Sequence, residues 1–465
     1  MMARDLKKIW LEKYANVAAT LDKVKKVRAA ATAFNTNIDA VLKISGCRIA
    51  ELAEAVGLTQ QDLDEDKSTA LSSAKDVVRG IVKCFSRGIA EEWIAEDKAV
   101  YDWMVGNLGY DRLQMGGQGG IVANVLGVIG VQKVYAHANS LPKLQAEQFL
   151  KLDNLLSFDE KGEARPAYQI DRKTDIPLIH WIIEFDKGDS FVFAGRECVC
   201  PKSNRFIATY DPLNLHLVVD KNFVKHMQGN AADYVILSGF HALTEQNDGV
   251  RLQAEALPYI EAWKKNGAIL HLEIASTQDK AVRRAIIETL APTADSVGIN
   301  EREAIDVLEV IGEEELAQAC EKDTHSCNLF EALVRIKKKL GCKRIQLHMF
   351  GLYMTLQDKG FVISPEENLR GMAAAATVAA GKAGTGNINT PENLLWAAGR
   401  EVSDTGLKEL GNLAVCIGNA QLPETGLAEY EGFDLIAVPT ILVEKPVTLV
   451  GMGDTISSVS LIAAR

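Results

Sequence analysis

The second half of the chain alternates regularly between short apolar runs and longer segments with helical spacing. Apolar runs that are followed by helices are typical of buried parallel strands with helices on both faces of their sheet. The expected strands are residues 234–238, 268–273, 296–299 and 344–349. We therefore predict an α/β fold built around a mostly parallel central sheet.

Polar side chains stand at the carboxyl ends of these predicted strands, the edge at which open α/β sheets bind ligands. Glu273 ends the second strand, Asn300 and Glu303 follow the third, and His348 lies near the end of the fourth. We expect the four side chains to line one edge of the sheet.

A glycine turn near residue 450 is expected at the same edge. Gly451-Met452-Gly453-Asp454 follows an apolar run, 447–450, and precedes a helix-like segment, which predicts a strand, a tight turn and a helix start. Amide groups at a helix start bind anions, and glycines let a charged group approach the backbone closely. Asp454 then fits a general base for a hydroxyl that attacks a bound phosphoryl group, with helix capping as the alternative.

The first part of the chain supplies a second polar strand end. Residues 4–26 have helical spacing, and the apolar run 27–34 is expected to be a strand that leads into Asn37 and Asp39. A ligand site and a plain turn rich in Asn and Asp are both compatible with this ending. Further helices are expected at residues 48–57 and 71–105.

Residues 115–120 form a glycine-rich loop that opens a helix. Glycine at four of five consecutive positions costs backbone entropy, which implies that another group approaches the backbone closely here. The loop matches neither of the common nucleotide-binding glycine motifs. Gln118 carries amide donors and an acceptor, which suits a polyhydroxylated ligand.

Between residues 165 and 210 the pattern changes to short alternating strands, bounded by turn signals at 186–189 and 211–214. We interpret this antiparallel structure as a separate sheet that acts as a lid. The same region holds a set of basic side chains, which would suit a phosphorylated substrate, and solubilising surface charge is the alternative. These are Arg172, Lys173, His180, Lys202 and Arg205.

Composition excludes several classes of function. A chain of 465 residues exceeds a single hydrophobic core, so two domains are expected. The net charge of −11 argues against general nucleic-acid binding. The eight cysteines are mostly isolated, and Cys198 and Cys200 lack a second pair at zinc-ligand spacing. Without a leader or a long apolar run, we predict a cytoplasmic protein with no membrane partner.

Five motifs together carry a resemblance to a known family. They are Asn37-Ile38-Asp39, Gly116-Gly117-Gln118, His271-Leu272-Glu273, Asn300-Glu301-Arg302-Glu303 and Gly451-Met452-Gly453-Asp454. In the order and spacing of these motifs, the chain resembles the ADP-dependent sugar kinases of archaea, within the ribokinase superfamily, over essentially its full length. It is most similar to the methanogen branch, where bifunctional ADP-dependent phosphofructokinase/glucokinases occur.

The resemblance implies a ribokinase-like large domain and a smaller β-rich lid domain that is inserted discontinuously. The large domain would comprise residues 1–36, 46–64, 116–165 and 212–465. The lid would comprise residues 37–45, 65–115 and 166–211. We expect the lid to close on the sugar, because phosphoryl transfer requires water to be excluded.

The resemblance also implies a reaction, in which the β-phosphoryl group of ADP passes to fructose 6-phosphate or glucose and AMP is released. Asp454 would be the base, the amides of Gly451, Met452, Gly453 and Asp454 would bind the phosphoryl charge, and Arg205 would clamp a phosphate. Mg²⁺ would be held largely through waters by Glu273, Glu303 and Asp454. Sugar contacts would come from Asn37, Asp39, Gly116, Gly117, Gln118 and His180, with Lys173 for a sugar phosphate. ADP contacts would come from Asn300, His348, Val443 and Gly453.

Substrate specificity stays open at this point. A lid glutamate is implicated in glucose recognition in this family, and Glu91 and Glu92 both match it. A glutamate beside retained basic residues predicts that both sugars are accepted, and a single-specificity enzyme is the alternative. An ATP-dependent kinase of the same fold and a non-catalytic sugar- or nucleotide-binding protein are further alternatives. Monomer and dimer are both open.

Overall fold

The computed structural model describes residues 3–64, 69–277, 279–448 and 450–465. Its helices are α1 Ala3–Tyr14, α2 Val17–Lys23, α3 Gly46–Ala55, α4 Gln60–Asp64, α5 Ala74–Arg87, α6 Lys98–Asn107, α7 Gln118–Ile129, α8 Lys143–Ala146, α9 Lys221–Gly229, α10 Gly249–Lys265, α11 Lys280–Ala285, α12 Glu301–Ile311, α13 Glu314–Lys322, α14 Ser326–Leu340, α15 Pro365–Thr385, α16 Pro391–Leu394, α17 Asp404–Cys416, α18 Leu422–Thr425 and α19 Met452–Ile462. Within the described ranges, no helix is long and apolar enough to cross a membrane.

The strands divide between a large sheet, a smaller sheet and a separate hairpin. They are β1 Ala30–Ala33, β2 Asn37–Lys43, β3 Glu91–Ile94, β4 Arg112–Gly116, β5 Val134–Ala136, β6 Leu155–Phe158, β7 Ala164–Pro166, β8 Ile179–Phe185, β9 Ser190–Phe193, β10 Arg196–Val199, β11 Asn204–Tyr210, β12 Tyr234–Leu237, β13 Ile269–Glu273, β14 Ser296–Asn300, β15 Arg344–Met349, β16 Leu352–Asp358, β17 Leu427–Tyr430 and β18 Phe433–Pro439.

The large sheet has the strand order β17-β18-β16-β15-β14-β13-β12-β1-β5-β6-β7. Its central strands, from β15 to β6, are parallel, and antiparallel strands complete both edges. Every residue of β1, β12 and β15 is buried, as expected for strands covered by helices on both faces. The predicted mostly parallel sheet is confirmed, as are its four predicted strands.

The smaller sheet has the order β3-β11-β8-β2-β4. The antiparallel pairing of β8 with β11 confirms the predicted change of pattern in this region. Along β8, buried residues alternate with half-buried ones, so one face packs on a second hydrophobic core and the other faces outward. A β-rich unit with its own core therefore accompanies the large sheet.

The two hydrophobic cores differ from the predicted domain boundaries in two segments. Ile49, Leu52 and Ala53 of α3 lie in the smaller core, although residues 46–64 were assigned to the large domain. Conversely, Ala167 and Ile170 lie in the larger core, although they fall in a range assigned to the lid. Short linkers of mixed composition carry no signal of the core against which they pack. The predicted boundary at residues 64 and 65 adjoins residues 65–68, which lie outside the described residues.

Two local predictions are wrong. Residues 91–94 form β3 inside a segment expected to be helical, because they pair with β11 and its tertiary contacts outweigh the helical spacing. Residues 447, 448 and 450 form no strand, and Leu449 lies outside the described residues. The Val447 side chain is exposed, and its amide donates to the Ala383 carbonyl of α15 at 2.7 Å rather than to a neighbouring strand.

A disulfide joins Cys327 at the start of α14 to Cys416 at the end of α17, with 6.1 Å between the two Cα atoms. The isolated positions of the cysteines in the sequence predict no pair here. A separation of 89 residues hides the contact, which exists only because the two helices pack side by side.

Replacing both disulfide cysteines with serine is expected to lower the unfolding temperature. A cross-link across a loop of this length stabilises a folded chain by up to about 4 kcal/mol through the entropy of the unfolded state. Calorimetry with and without a thiol reductant measures the effect. Cys47, which is exposed and free, supplies the control: Cys47→Ser should leave the unfolding temperature and its response to reductant unchanged. If the unfolding temperatures of the wild type, the double serine variant and Cys47→Ser responded equally to the reductant, the assignment of the disulfide would be contradicted.

Candidate active site

A cleft of about 810 Å³ lies between the carboxyl edge of the large sheet and the outward face of the smaller one. Its volume is in the range of small-molecule sites. Among the described residues that line it, several are acidic and none is a lysine or arginine. The polar lining includes Asn35, Asn37, Asp39, Glu92, Gln118, His180, Asp211, Asn214, His241 and Asp454.

The glycine turn opens α19 at the large-sheet side of this cleft. Gly451 occupies the N-cap position with a φ of 60°, so Asp454 is a residue of the first turn and not the cap. A Cβ on Gly453 would lie 2.7 Å from Nε2 of His348, and one on Gly451 would lie 2.9 Å from the Ile121 side chain. The turn can approach its neighbours this closely only with glycine at both positions, and its amides begin a helix without intrahelical acceptors.

Asp454 is buried and held by a single neutral donor. Nε2 of Gln118 donates to its Oδ1 at 2.5 Å. Burial raises the pKa of the Asp454 carboxyl, and the charge of Lys382 and the Gln118 hydrogen bond oppose that rise. A carboxylate with a raised pKa accepts a proton from a hydroxyl more readily than an exposed one.

Glu273 and Glu303 lie near Asp454, as predicted for the strand ends. Burial, reinforced by the charge of Asp454, raises the pKa of Glu273 well above its usual range. Burial also raises the pKa of Glu303 to about 8, with a further contribution from Asp454. The charge of Asp454 thus raises the pKa values of both glutamates, and a cation bound among the three carboxylates would lower them.

The oxygen donors of these three carboxylates suit Mg²⁺, which keeps several waters when it binds to proteins. Within the described ranges, no three His, Cys, Asp or Glu side chains converge tightly enough to bind a metal directly. The donor set therefore fits an ion that is held through its waters.

The Asn300–Glu303 motif forms a capping box at the start of α12. The Glu303 carboxylate accepts from the Asn300 backbone at 2.8 Å and from Asn300 Nδ2 at 2.9 Å. Glu303 is thereby fixed at the carboxyl end of β14. Glu273 is fixed by His271, whose Nε2 lies 3.1 Å from Oε1, and a Cβ on Gly298 would lie 2.4 Å from the same oxygen.

The glycine-rich loop packs against side chains of the protein itself. A Cβ on Gly116 would lie 2.2 Å from Oδ1 of Asp39, and one on Gly117 would lie 2.7 Å from Oδ1 of Asn37. Asn37 Nδ2 donates to Asp39 at 3.1 Å, which holds the two side chains together at the cleft. The close approach predicted from the glycines is therefore made by these polar side chains.

Gln118 bridges two parts of the site instead of standing free. Its amide nitrogen donates to Asp454, and its Oε1 accepts from the Gly239 backbone at 3.1 Å. The orientation of Asp454 is thus set by a residue from the glycine-rich loop.

Both Glu91 and Glu92 border the cleft, but only the Glu92 side chain points toward its polar lining. Thr209 Oγ1 donates to Oε1 of Glu92 at 2.6 Å on the outward face of the smaller sheet. Glu91 points the other way, where its Oε2 accepts from Lys83 at 2.9 Å and from the Trp93 indole at 2.8 Å. Side chains alternate between the two faces of a strand, so only one of two adjacent glutamates can point toward this lining.

His180 stands opposite Asp39 on one neighbouring strand and opposite Thr209 on the other. Its Nε2 lies 3.0 Å from Oδ2 of Asp211, which in turn accepts from Asn214 at 2.6 Å. Burial opposes protonation of His180, but Asp211, Glu92 and Asp39 outweigh it and raise its pKa to about 9. The imidazole is therefore protonated at neutral pH.

Sugar binding is expected to weaken as the pH rises through about 9, the pKa of His180. With a pKa of about 9 in the folded protein, the imidazole stays protonated up to about that pH and loses its proton above it. Loss of a charged hydrogen-bond donor predicts about a tenfold weaker glucose affinity. Calorimetric titration without nucleotide measures it. His180→Gln should bind weakly at every pH, whereas His216→Asn, at an exposed histidine, should retain the wild-type profile.

The predicted basic cluster does not form. The Arg172 guanidinium is buried against the Phe158 and Ala138 carbonyls and Asp220, and Lys173 is exposed and paired with Asp171. Lys202 and Arg205 are exposed outside the cleft lining. Proximity in sequence did not translate into proximity in space, because these residues belong to both cores and to both faces of the smaller sheet.

Two residues predicted to contact the nucleotide lie outside the cleft lining. His348 is buried behind the turn, where burial lowers its pKa to about 4. Val443 packs against the larger core. Asn300 stays at the carboxyl edge of the sheet as the cap of α12.

Sequence reasoning missed the contribution of Asp211 and Asn214 to the site. The segment 211–214 carried only a turn signal, although a turn that follows a strand with a histidine on its neighbour could orient that histidine. Thr209 was also missed, because a single threonine in a strand carries no functional signal.

Comparisons with known proteins match the chain over nearly its whole length. The ADP-specific Phosphofructokinase/Glucokinase conserved region matches residues 28–463. An ADP-dependent glucose/glucosamine kinase of Pyrococcus furiosus is 31% identical over 97% of this chain and 98% of its own length. A solved structure described as the last common ancestor of ADP-dependent phosphofructokinases from Methanosarcinales is 30% identical, with a TM-score of 0.86 and coverage of 100% and 99%. An ADP-dependent kinase in complex with fructose-6-phosphate and ADPβS is 29% identical, with a TM-score of 0.80 and coverage of 100% and 98%.

Proposed function

As a member of the ADP-specific phosphofructokinase/glucokinase family, this chain is an ADP-dependent sugar kinase, and we propose that it phosphorylates both fructose 6-phosphate and glucose with Mg-ADP. The observation that carries the assignment to this cleft is the position of Asp454. It is buried at the first turn of α19, is held by Gln118, and faces the polar set on the smaller sheet across the cleft.

Asp454 is the proposed general base. It accepts the proton of the sugar hydroxyl as the hydroxyl oxygen bonds to the β-phosphorus of ADP. The bond from that phosphorus to the bridging oxygen breaks, and AMP leaves. The raised pKa of Asp454 and its fixed orientation support this role.

The amides of residues 451–454 are proposed to bind the charge that develops on the transferring group. Mg²⁺ bound near Glu273, Glu303 and Asp454 would neutralise phosphate charge. Burial and the charge of Asp454 raise the pKa values of both glutamates, which supports the presence of a cation there.

Asn37, Asp39, Glu92 and His180 are the proposed contacts for sugar hydroxyls. All four line the cleft, and they combine carboxylates with a protonated imidazole, which suits a neutral polyol. This arrangement supports glucose as an acceptor.

The 6-phosphate of fructose 6-phosphate requires a cation from outside the cleft lining. Arg205 lies on the outward face of β11, four residues before Thr209, or about 13 Å along the strand. We propose that Arg205 reaches the distal phosphate when the smaller sheet closes over the sugar. Lys173 is the weaker candidate, because it is paired with Asp171.

Release of AMP from Mg-ADP tests the proposal, with glucose and fructose 6-phosphate assayed in parallel and ATP as the control donor. We expect AMP with both sugars and no turnover of ATP. Turnover of one sugar alone would reduce the proposal to a single-specificity kinase, and turnover of ATP alone would replace ADP as donor. Because ADP and sugar phosphates are intracellular metabolites, we place the protein in the cytoplasm.

A further inference from the structure

A buried lysine contacts the catalytic turn from outside the cleft. Nζ of Lys382, near the end of α15, donates to the carbonyl oxygen of Gly451 at 3.0 Å and lies 3.3 Å from Oγ1 of Thr455. Only 4% of Lys382 is exposed, and it lines a small cavity of about 40 Å³ apart from the cleft. The hydroxyl of Thr455 also donates to the Gly451 carbonyl, at 2.7 Å, so this oxygen accepts from two side chains.

The absence of a close carboxylate makes this lysine unusual. Buried lysines are normally paired with an acid, because an unpaired ammonium is costly to remove from water. Within the described residues, Lys382 has no ion pair within 4 Å. Lys337 is equally buried, but its Nζ lies 2.5 Å from Oδ1 of Asp358. The Lys382 ammonium therefore donates to the backbone of the turn rather than to a carboxylate.

A trans peptide unit points its carbonyl and its amide in opposite directions. Once Lys382 fixes the Gly451 carbonyl, the amide of Met452 must point away from the lysine. This amide belongs to the first turn of α19, whose donors lack intrahelical acceptors. The contact is also tight, since a Cβ on Gly451 would lie 3.0 Å from Nζ.

We infer that Lys382 is a positioning residue for phosphoryl transfer, which holds the Gly451–Met452 peptide so that its amide faces the transferring group. The inference rests on the proposed function of the turn. The lysine is not among the residues that line the cleft, and it acts through the backbone. Its charge also stabilises the ionised form of Asp454 against burial.

The nearest competing explanation is a structural link between α15 and α19, which pack against each other along their lengths. A structural link would affect the unfolding temperature without affecting turnover of the folded protein. A positioning role would reduce kcat while leaving the binding of glucose intact.

Lys382→Met and Lys337→Met are the matched test, because both remove a buried ammonium and keep the length of the side chain. We expect Lys382→Met to lower kcat for AMP release by about 100-fold, as loss of an anion-binding donor does, with the glucose dissociation constant unchanged. Lys337→Met should lower the unfolding temperature and keep the wild-type kcat. Wild-type kcat in folded Lys382→Met would overturn the inference.

Chemical rescue supplies a second readout that does not depend on how well Lys382→Met folds. Lys382→Ala leaves space beside the Gly451 carbonyl, and methylammonium should raise its kcat about tenfold with saturation. The larger choline cation should not. No rescue by methylammonium would overturn the inference. A wild-type protein without turnover of ADP would instead refute the proposed function, so the two failures are distinguishable.

Discussion

Asp454→Ala is expected to lower kcat for AMP release by about a thousandfold, the loss that follows removal of a general base. The carboxylate is the acceptor for the hydroxyl proton, and alanine leaves no group to take it. Rapid quench of Mg-ADP turnover with glucose measures the chemical step directly. Glucose binding should be retained, because the sugar contacts on the smaller sheet are untouched.

Asp279→Asn is the control for this variant. Asp279 also lines the cleft, but its carboxylate caps α11, and asparagine caps a helix almost as well. We expect wild-type turnover from it. A folded Asp454→Ala protein that keeps more than about a tenth of wild-type kcat would contradict the assignment of the base.

Glu92→Ala is expected to lower kcat/KM for glucose by about 100-fold, because a charged acceptor for sugar hydroxyls is lost. The reaction with fructose 6-phosphate should fall much less, since removing a negative charge from the cleft favours a phosphorylated sugar. The ratio of the two kcat/KM values is the measurement, and it is independent of the fraction of active protein.

Glu91→Gln is the matched control, one residue away on the opposite face of β3. Glutamine retains an acceptor for the Trp93 indole, so the variant should fold and keep the wild-type ratio of the two sugars. A change in the ratio of the two kcat/KM values for Glu91→Gln, with no change for Glu92→Ala, would mean that Glu91 and not Glu92 contacts glucose. Arg205→Ala extends the series, with an expected loss confined to fructose 6-phosphate.

Strands in the large sheet could be predicted because apolar residues predominate in them and a helix follows most of them. Strands β12, β13, β14 and β15 are almost wholly buried on both faces, so apolar residues occur on both faces of each strand. The polar residue at each strand end then marks the ligand edge, which is why Glu273, Glu303 and Asp454 could be brought together from their positions alone.

The smaller sheet was harder to predict, because its contacts cross long stretches of sequence. The pairing of β3 with β11 decides both that residues 91–94 are a strand and which glutamate faces the cleft. Neither is encoded within the segment itself. The prediction of a basic cluster was wrong for the same reason. Arg172 pairs with Asp220, and Lys173 pairs with Asp171, rather than with a shared ligand.

Lys382 illustrates a signal that was present but was not used. It is the one charged residue in the part of α15 that follows Arg370, residues 371–385, where nearly every residue is buried. A charged residue at such a position must have a polar partner in the folded chain. The partner is a backbone carbonyl, and no pattern of side chains in the sequence predicts such a partner.

The smaller sheet consists of β2, β3, β4, β8 and β11, which come from two stretches of the chain, residues 37–116 and 179–210. Strand β2 at residue 38 pairs with β8 at residue 179, so this sheet cannot form until the intervening part of the large unit is available. Folding is slow when long loops must close, at a cost in entropy, before stabilising contacts form. In nascent chains, all strands of the smaller sheet are synthesised by residue 210, whereas β12 to β18 of the large sheet follow at residues 234–439, so the sugar-binding face should acquire protease resistance before the large unit is complete.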